Sequence, residues 1–219
     1  MEARTLKTLS RLLCFAALLA LLAVNVYIEL KPGLMVGIVV KLGFACAFTA
    51  LWSLVCYSCP GGSPARRRGY FLALFGYYIW MLLNLLFFDA AFGRGVGVGG
   101  GLNTTPLLTI RNYLRAYELG NISLKWVLVN LAGNLAAFAP MGCFLPVLYP
   151  KQRNFFVFVP TVAGMVAVVE ILQYLTRTGS CDIDDLILNV AGAFVVWLVS
   201  QIPPFRGWVR KVTPQRPKR

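Results

Sequence analysis

The sequence predicts an all-α integral membrane protein with about six transmembrane helices and one extracellular interfacial amphipathic helix between the third and the fourth. Three observations point there. Of 219 residues, 58% are hydrophobic and only 13% charged, whereas a soluble domain carries about 25% charge. Six apolar runs each approach the ~20 residues that a helix needs to cross ~30 Å of hydrocarbon. The basic residues are unevenly distributed: with the N-terminus inside, fourteen fall on the cytoplasmic side and six outside, as the positive-inside rule requires for an even number of crossings. The 21 Lys and Arg against eight acids give +13. In a membrane chain that excess reports topology, so no nucleic-acid partner is expected.

The runs are Leu12 to Leu30, Leu34 to Tyr57, Tyr70 to Phe88, Leu124 to Leu148, Phe155 to Thr176 and Leu186 to Ile202. The first exceeds a signal-peptide core and lacks a clear small-x-small cleavage site, so it is read as a helix. Lys41 lies within the second and is expected to snorkel. Residues 1–92 then form an N-terminal three-helix region, 93–123 a strap and interfacial helix, 124–202 a core of three spans, and 203–219 a basic cytoplasmic tail. The tail holds four prolines and six basic residues and reads as disordered and attracted to anionic lipid. Both termini should be cytoplasmic, in a multi-pass membrane protein.

Between the third and fourth runs, Gly93 to Gly101 holds six glycines in nine residues, a composition that favours a flexible strap. Next, Thr105 suits an N-cap, Pro106 the first helical position and Gly120 the C-terminal stop. Leu107, Ile110, Leu114 and Tyr117 share one face of that helix, and Arg111, Arg115 and Glu118 another. It should lie on or dip into the outer leaflet, with its arginines on lipid phosphates or on a substrate.

No histidine is present, which excludes a Ser-His-Asp triad, a Cys-His pair and zinc sites built on imidazole. The six cysteines lie mostly in apolar runs and should behave as small hydrophobes, without a disulfide framework. Cys56 and Cys59 form a C-x-x-C with no strand-helix context for redox work.

Ionisable and amide residues inside spans are expensive and therefore informative. In the fourth span Asn130 and Asn134 stack on one helix face. In the fifth, Glu170, Gln173 and Arg177 form a stripe, and in the sixth so do Asp185, Asn189 and Gly192. All three stripes fall near one depth below the outer end, which suggests an outward-opening polar pocket rather than a network that only fixes packing. Arg177 and Arg111 are the cations available to a buried Glu170. In the turn between the last two spans, Asp182 or Asp184 can cap the sixth helix. Asp182, Asp184 and Asp185 are oxygen-rich enough for Mg²⁺ or Ca²⁺ but lack the glycine and terminal glutamate of an EF-hand, so no metal or other cofactor is assigned.

These residues also carry a resemblance. Asn130-Leu-Ala-Gly-Asn134-Leu-Ala-Ala-Phe138-Ala-Pro140-Met-Gly142-Cys-Phe-Leu-Pro146, then Glu170-x-x-Gln173 and Asp182-Ile-Asp184-Asp185-Leu-Ile-Leu-Asn189-x-x-Gly192, resemble the paired signature blocks of VanZ-like membrane proteins. The resemblance covers about residues 102–200. Departures are Ala136, Ala137 and Ala139, where larger aliphatic residues are usual, and Gly179, where an arginine is common; Arg177 can supply that cation. The family is named for a protein associated with resistance to the glycopeptide teicoplanin. The resemblance implies a protein of the bacterial inner membrane, and the shared depth of the polar stripes then suggests a membrane factor whose outward pocket engages a cell-envelope lipid, a lipid-linked cell-wall precursor or a lipophilic glycopeptide and so affects glycopeptide susceptibility. Asn130, Asn134, Gln173, Arg177, Asn189, Arg111 and Arg115 would bind it. If the protein is instead an enzyme on a lipid-linked intermediate, Glu170, Asp182 and Asp185 are its catalytic candidates, although no nucleophile motif supports that. A small-molecule transporter is the third reading, suggested by Pro140 and Pro146 in the fourth span.

Overall fold

A computed structural model describes residues 2–30, 38–57, 64–88 and 100–212. It is an α-helical protein with a single two-stranded bridge among the described residues. Among the described residues, four helical stretches are long and apolar enough to cross a membrane: Arg68–Phe87, Leu124–Leu148, Phe155–Thr176 and Ile183–Ser200. Phe15–Ile28 and Gly43–Trp52 are shorter apolar stretches.

The chain divides into two compact units, Met1–Tyr78 and Ile79–Arg219, with the boundary inside a helix. In the first unit, α1 (Glu2–Leu30) packs against α2 (Ile38–Tyr57), and α3 begins at Pro64, running to Phe87. Pro64 suits a first helical position because its missing N–H has no intrahelical partner there. Phe48 stacks on Tyr77 with ring centroids 3.9 Å apart, and the Trp52 indole donates to the Tyr70 carbonyl at 3.0 Å. Asn25, although buried, donates to the Leu21 carbonyl of its own helix at 3.0 Å, so one polar group is satisfied without a partner helix.

The second unit is built around α8 (Ile183–Ser200), which packs against α5 (Leu124–Ala137), α6 (Met141–Leu148) and α7 (Phe155–Thr176). Two glycines set these distances. A Cβ on Gly192 would lie 1.7 Å from the Leu135 carbonyl oxygen, and one on Gly142 would lie 2.3 Å from the Ala193 carbonyl oxygen. Hydrogen there lets backbones approach where any side chain would hold them apart. Further along, Trp197 stacks on Phe158 and Phe194 and donates its indole N–H to the Gln152 carbonyl at 2.9 Å. Many large apolar side chains remain exposed on these helices, among them Leu128, Phe156, Val168, Ile171 and Val195, the pattern of surfaces facing lipid.

The fourth span breaks at Phe138–Pro140, at the first of the two prolines that suggest a break there, and Pro140 caps the second piece, α6. Proline cannot donate the i→i−4 bond and crowds the preceding turn. Pro146, by contrast, stays inside α6. The structure corrects two sequence expectations. Helix α4 spans Leu108–Glu118, so Thr105 and Pro106 precede its first turn rather than forming it. The basic tail is not disordered throughout, because Pro203–Val212 forms a helix, α9; two leading prolines pre-set helical φ at positions that need no donor. The strap residues 93–99 and tail residues 213–219 lie outside the described residues, as does Cys59.

Candidate functional site

The α7–α8 turn and the start of α4 are knitted together by carboxylates. Ahead of α4, Gly101–Asn103 comes alongside Cys181–Asp182: Leu102–Asn103 (β1) pairs parallel with Cys181–Asp182 (β2), and the Cys181 amide donates to the Gly101 carbonyl at 2.9 Å. Asn103 makes an Asx turn, its Oδ1 accepting from the Thr105 amide at 3.0 Å, a role typical of Asn before a helix start. Its Nδ2 donates to Asp182 Oδ1 at 2.9 Å.

Asp182 caps α8, accepting from the Asp184 amide at 2.8 Å, and its Oδ2 accepts from the Thr109 hydroxyl at 2.5 Å. Asp184 is fully buried. Its Oδ1 accepts from the Leu107 amide at 2.5 Å, and its Oδ2 accepts from the Thr109 and Ile110 amides at 2.8 and 3.1 Å. A helix start leaves four N–H groups without intrahelical partners. For α4 no side chain of its own N-cap, Leu107, supplies an acceptor; a carboxylate from 77 residues further along does. It also places negative charge at the positive end of the helix dipole.

The C-terminus of α4 is closed locally. Gly120 adopts φ 72°, and Asn121 donates to the Ala116 carbonyl while Gly120 donates to that of Tyr117, the Schellman arrangement. Because both ends of α4 are tied, its faces are fixed: Ile110 and Tyr113 turn inward, while Leu107, Leu114, Tyr117, Arg111 and Arg115 are exposed.

Deeper in, Glu170 is buried and its Oε2 accepts from the Asp182 amide at 3.1 Å. Gln173, one turn on, donates to the Leu86 carbonyl at 2.7 Å, tying α7 to the end of α3. Asn134 of α5 donates to Asp185 Oδ1, and Asn189 donates to the Asp185 carbonyl at 2.8 Å. The Oε1 of Gln173 and the Oδ1 of Asn189 are buried with no protein partner, so each retains an acceptor for a water or ligand donor. Asn130 does not join the cluster: its amide folds back to the Trp126 carbonyl of its own helix at 2.8 Å.

Arg177 is exposed and sits at φ 54°, closing α7 with its amide bonded to the Tyr174 carbonyl and the Thr178 amide bonded to that of Gln173. Among the described residues, it and Leu107 are the two non-glycine positions at positive φ. They flank the carboxylate cluster on either side, and backbone strain of this kind concentrates at functional sites. Beside them, the Cys181 thiol is pushed above its ordinary value by burial first and then by the Glu170 and Asp182 carboxylates. It is therefore a weak nucleophile at neutral pH.

The structure thus brings together Asn134, Glu170, Asp182 and Asp185 around the α7–α8 turn, keeps Asn189 buried with its amide on its own helix, and leaves Arg111, Arg115 and Arg177 exposed. Two residues of the cluster, Asn103 and Thr109, were not among the sequence candidates, and a third has another role than its sequence suggests. Asp184 reads from sequence as a cap for its own helix or part of an oxygen-rich turn, and nothing local reveals that it caps α4 instead. Thr109 and Asn103 were hidden for the same reason, although the Asn two residues before a Thr-Pro pair is an Asx-turn signal. Among the described residues, no group of three or more Cys, Asp or Glu is placed to hold a metal ion.

The residues knitted here are those of the paired signature blocks: Asn134, Gly142, Glu170, Gln173, the Asp182–Asp185 turn, Asn189 and Gly192. A family model described as VanZ/LLP1 matches residues 73–203, reaching back into α3, whose end Gln173 holds. No curated protein and no solved structure matches the chain. A match over more than half of the sequence, falling on the residues that fasten α4 and pack α8, shows that this chain belongs to the VanZ/LLP1 family.

Proposed function

We propose that the protein engages a phosphate-bearing cell-envelope lipid, or a lipophilic glycopeptide such as teicoplanin, at the exposed face of α4, and thereby alters glycopeptide susceptibility. In this reading the chain crosses the bacterial inner membrane six times with both termini cytoplasmic, and α4 lies at the outer surface. The observation that carries it is the fastening of α4 by Asp184: a short helix that buries no residue fully is nonetheless held at both ends. Its exposed Leu107, Leu114 and Tyr117 suit acyl chains, and Arg111 and Arg115, four apart, share one face. Because Asp184 occupies the helix N-terminus, that end cannot take an anion, which leaves the guanidinium groups as the phosphate ligands. Arg177 adds a third on the other side of the turn. Glu170, Asp182 and Asp185 serve this face as fasteners, each accepting hydrogen bonds from the scaffold.

Lipid-resolved native mass spectrometry of the full-length protein tests this with a polyprenyl phosphate as probe. The wild type is expected to retain it, and the Arg111→Ala/Arg115→Ala variant to lose at least tenfold in retention, since each charge-assisted contact is worth roughly 1.5–3 kcal/mol. Equal retention in a variant of unchanged helicity overturns the reading. Arg177→Gly separates binding from folding. Glycine is at ease at positive φ, where other residues lose about 1 kcal/mol, so the thermal midpoint should hold or rise while phosphate-lipid retention falls. A lowered midpoint would place Arg177 in the packing instead.

A further inference from the structure

We infer that α9 is an interfacial helix that docks on anionic phospholipid headgroups at the end of the second unit opposite the carboxylate cluster. Three observations carry this. First, α9 begins three residues after the span Ile183–Ser200 ends, so it starts where α8 leaves the hydrocarbon. The carboxylates lie at the other end of α8, about 27 Å away at 1.5 Å per residue.

Second, the start of α9 is held in a defined direction. Arg206 donates to Gln201 Oε1 at 3.1 Å, Gln201 Nε2 donates to the Ser200 hydroxyl at 3.0 Å, and that hydroxyl donates to the Trp197 carbonyl at 2.7 Å. The Trp197 indole in turn reaches Gln152 between α6 and α7. α9 packs near α6 and α8 at this corner, so it leaves the span by a hydrogen-bonded joint and not as a free tail.

Third, its sequence has two faces of opposite character. By helical spacing Phe205, Trp208, Val209 and Val212 fall on one, and Arg206, Arg210 and Lys211 on the other. No acidic residue follows Asp185, so nothing in this part of the chain neutralises those charges. An apolar stripe rich in aromatics beside a basic stripe, placed at the end of a span, fits the headgroup boundary of an anionic leaflet. A protein partner would have to supply both an apolar groove and acids.

The test uses the full-length protein in phosphatidylcholine nanodiscs doped with spin-labelled phosphatidylglycerol or, separately, spin-labelled phosphatidylcholine. The wild type should prefer phosphatidylglycerol several-fold, and the preference should shrink as NaCl is raised, because exposed charges are screened. Arg210→Gln/Lys211→Gln should reduce it at least threefold, given that each basic residue near the surface contributes roughly fivefold. Arg210→Lys/Lys211→Arg, which keeps both charges, should restore it. Equal lipid preference in the Gln variant, insensitivity to salt, or loss produced by Lys151→Gln and not by the α9 pair overturns the inference.

Discussion

Asp184→Ala is expected to release the first turn of α4 and to lower the stability of the second unit by about 3 kcal/mol or more. The carboxylate accepts from three backbone amides, those of Leu107, Thr109 and Ile110, and it is fully buried. Removing it strands three donors, and each buried donor left without a partner costs roughly 1–3 kcal/mol. Relaxation of α4 into the lipid boundary would recover part of that. Asp184→Asn should fall between the two, because its single oxygen can serve one side of the turn while its NH₂ faces donors on the other. The denaturant midpoint in micelles reads both. A midpoint for Asp184→Ala within about 0.5 kcal/mol of wild type, the range of ordinary surface substitutions, would show that α4 is held by something else.

Gly192→Ala is expected to be at least as damaging, by a different route. The added Cβ would sit 1.7 Å from the Leu135 carbonyl oxygen and 2.7 Å from its carbonyl carbon. Those are backbone atoms of α5 and cannot swing aside as a side chain would, so α5 and α8 must separate. Overpacking costs about 1–3 kcal/mol when side chains can adjust, and a backbone clash belongs at or beyond the upper end. Separation would also pull Asn134 from Asp185, so the polar cluster loosens together with the packing. Gly164→Ala is the control: nothing lies within 4 Å of its Cβ position, and alanine is favoured over glycine within a helix by about 1 kcal/mol. Thermal unfolding in one detergent should lower the midpoint for the first variant and hold or raise it for the second.

The membrane character and most helices were legible in the sequence because apolar runs of the right length leave few alternatives in lipid. The Phe155–Thr176 helix was recovered end to end, and so was the stop at Gly120, where positive φ suits glycine. The break in the fourth span was visible only as two prolines. Which one breaks the helix depends on whether neighbours absorb the lost hydrogen bond, and here Pro140 does while Pro146 remains within α6. The start of α4 was misplaced because its cap is supplied from α8, and no local pattern encodes an acceptor 77 residues away. The prolines of the tail suggest disorder, yet Pro203 and Pro204 stand where a helix tolerates them best, at the start of α9.

The polar stripes were legible as stripes, since spacing by three and four fixes a helix face. Their meeting was only partly so. Asn134 and Asp185 do join, but Asn130, on the same face as Asn134, returns to its own backbone. Glu170, for which Arg177 or Arg111 was the expected cation, accepts a backbone amide of the turn. A sequence shows that a buried carboxylate needs partners; it does not show that a turn will offer one of its N–H groups.

The central claim is that one carboxylate on α8 fastens the arginine-bearing helix α4, and amide hydrogen exchange on the full-length protein in nanodiscs tests it most directly. In the wild type the amides of Leu107, Thr109 and Ile110 should be protected, although they open a helix with no acceptor of its own. In Asp184→Ala they should exchange at least tenfold faster, the factor for each 1.4 kcal/mol of lost protection, while the amides of α8 beyond its first turn keep theirs. Unprotected amides in the wild type, or equal protection in the variant, would contradict the account.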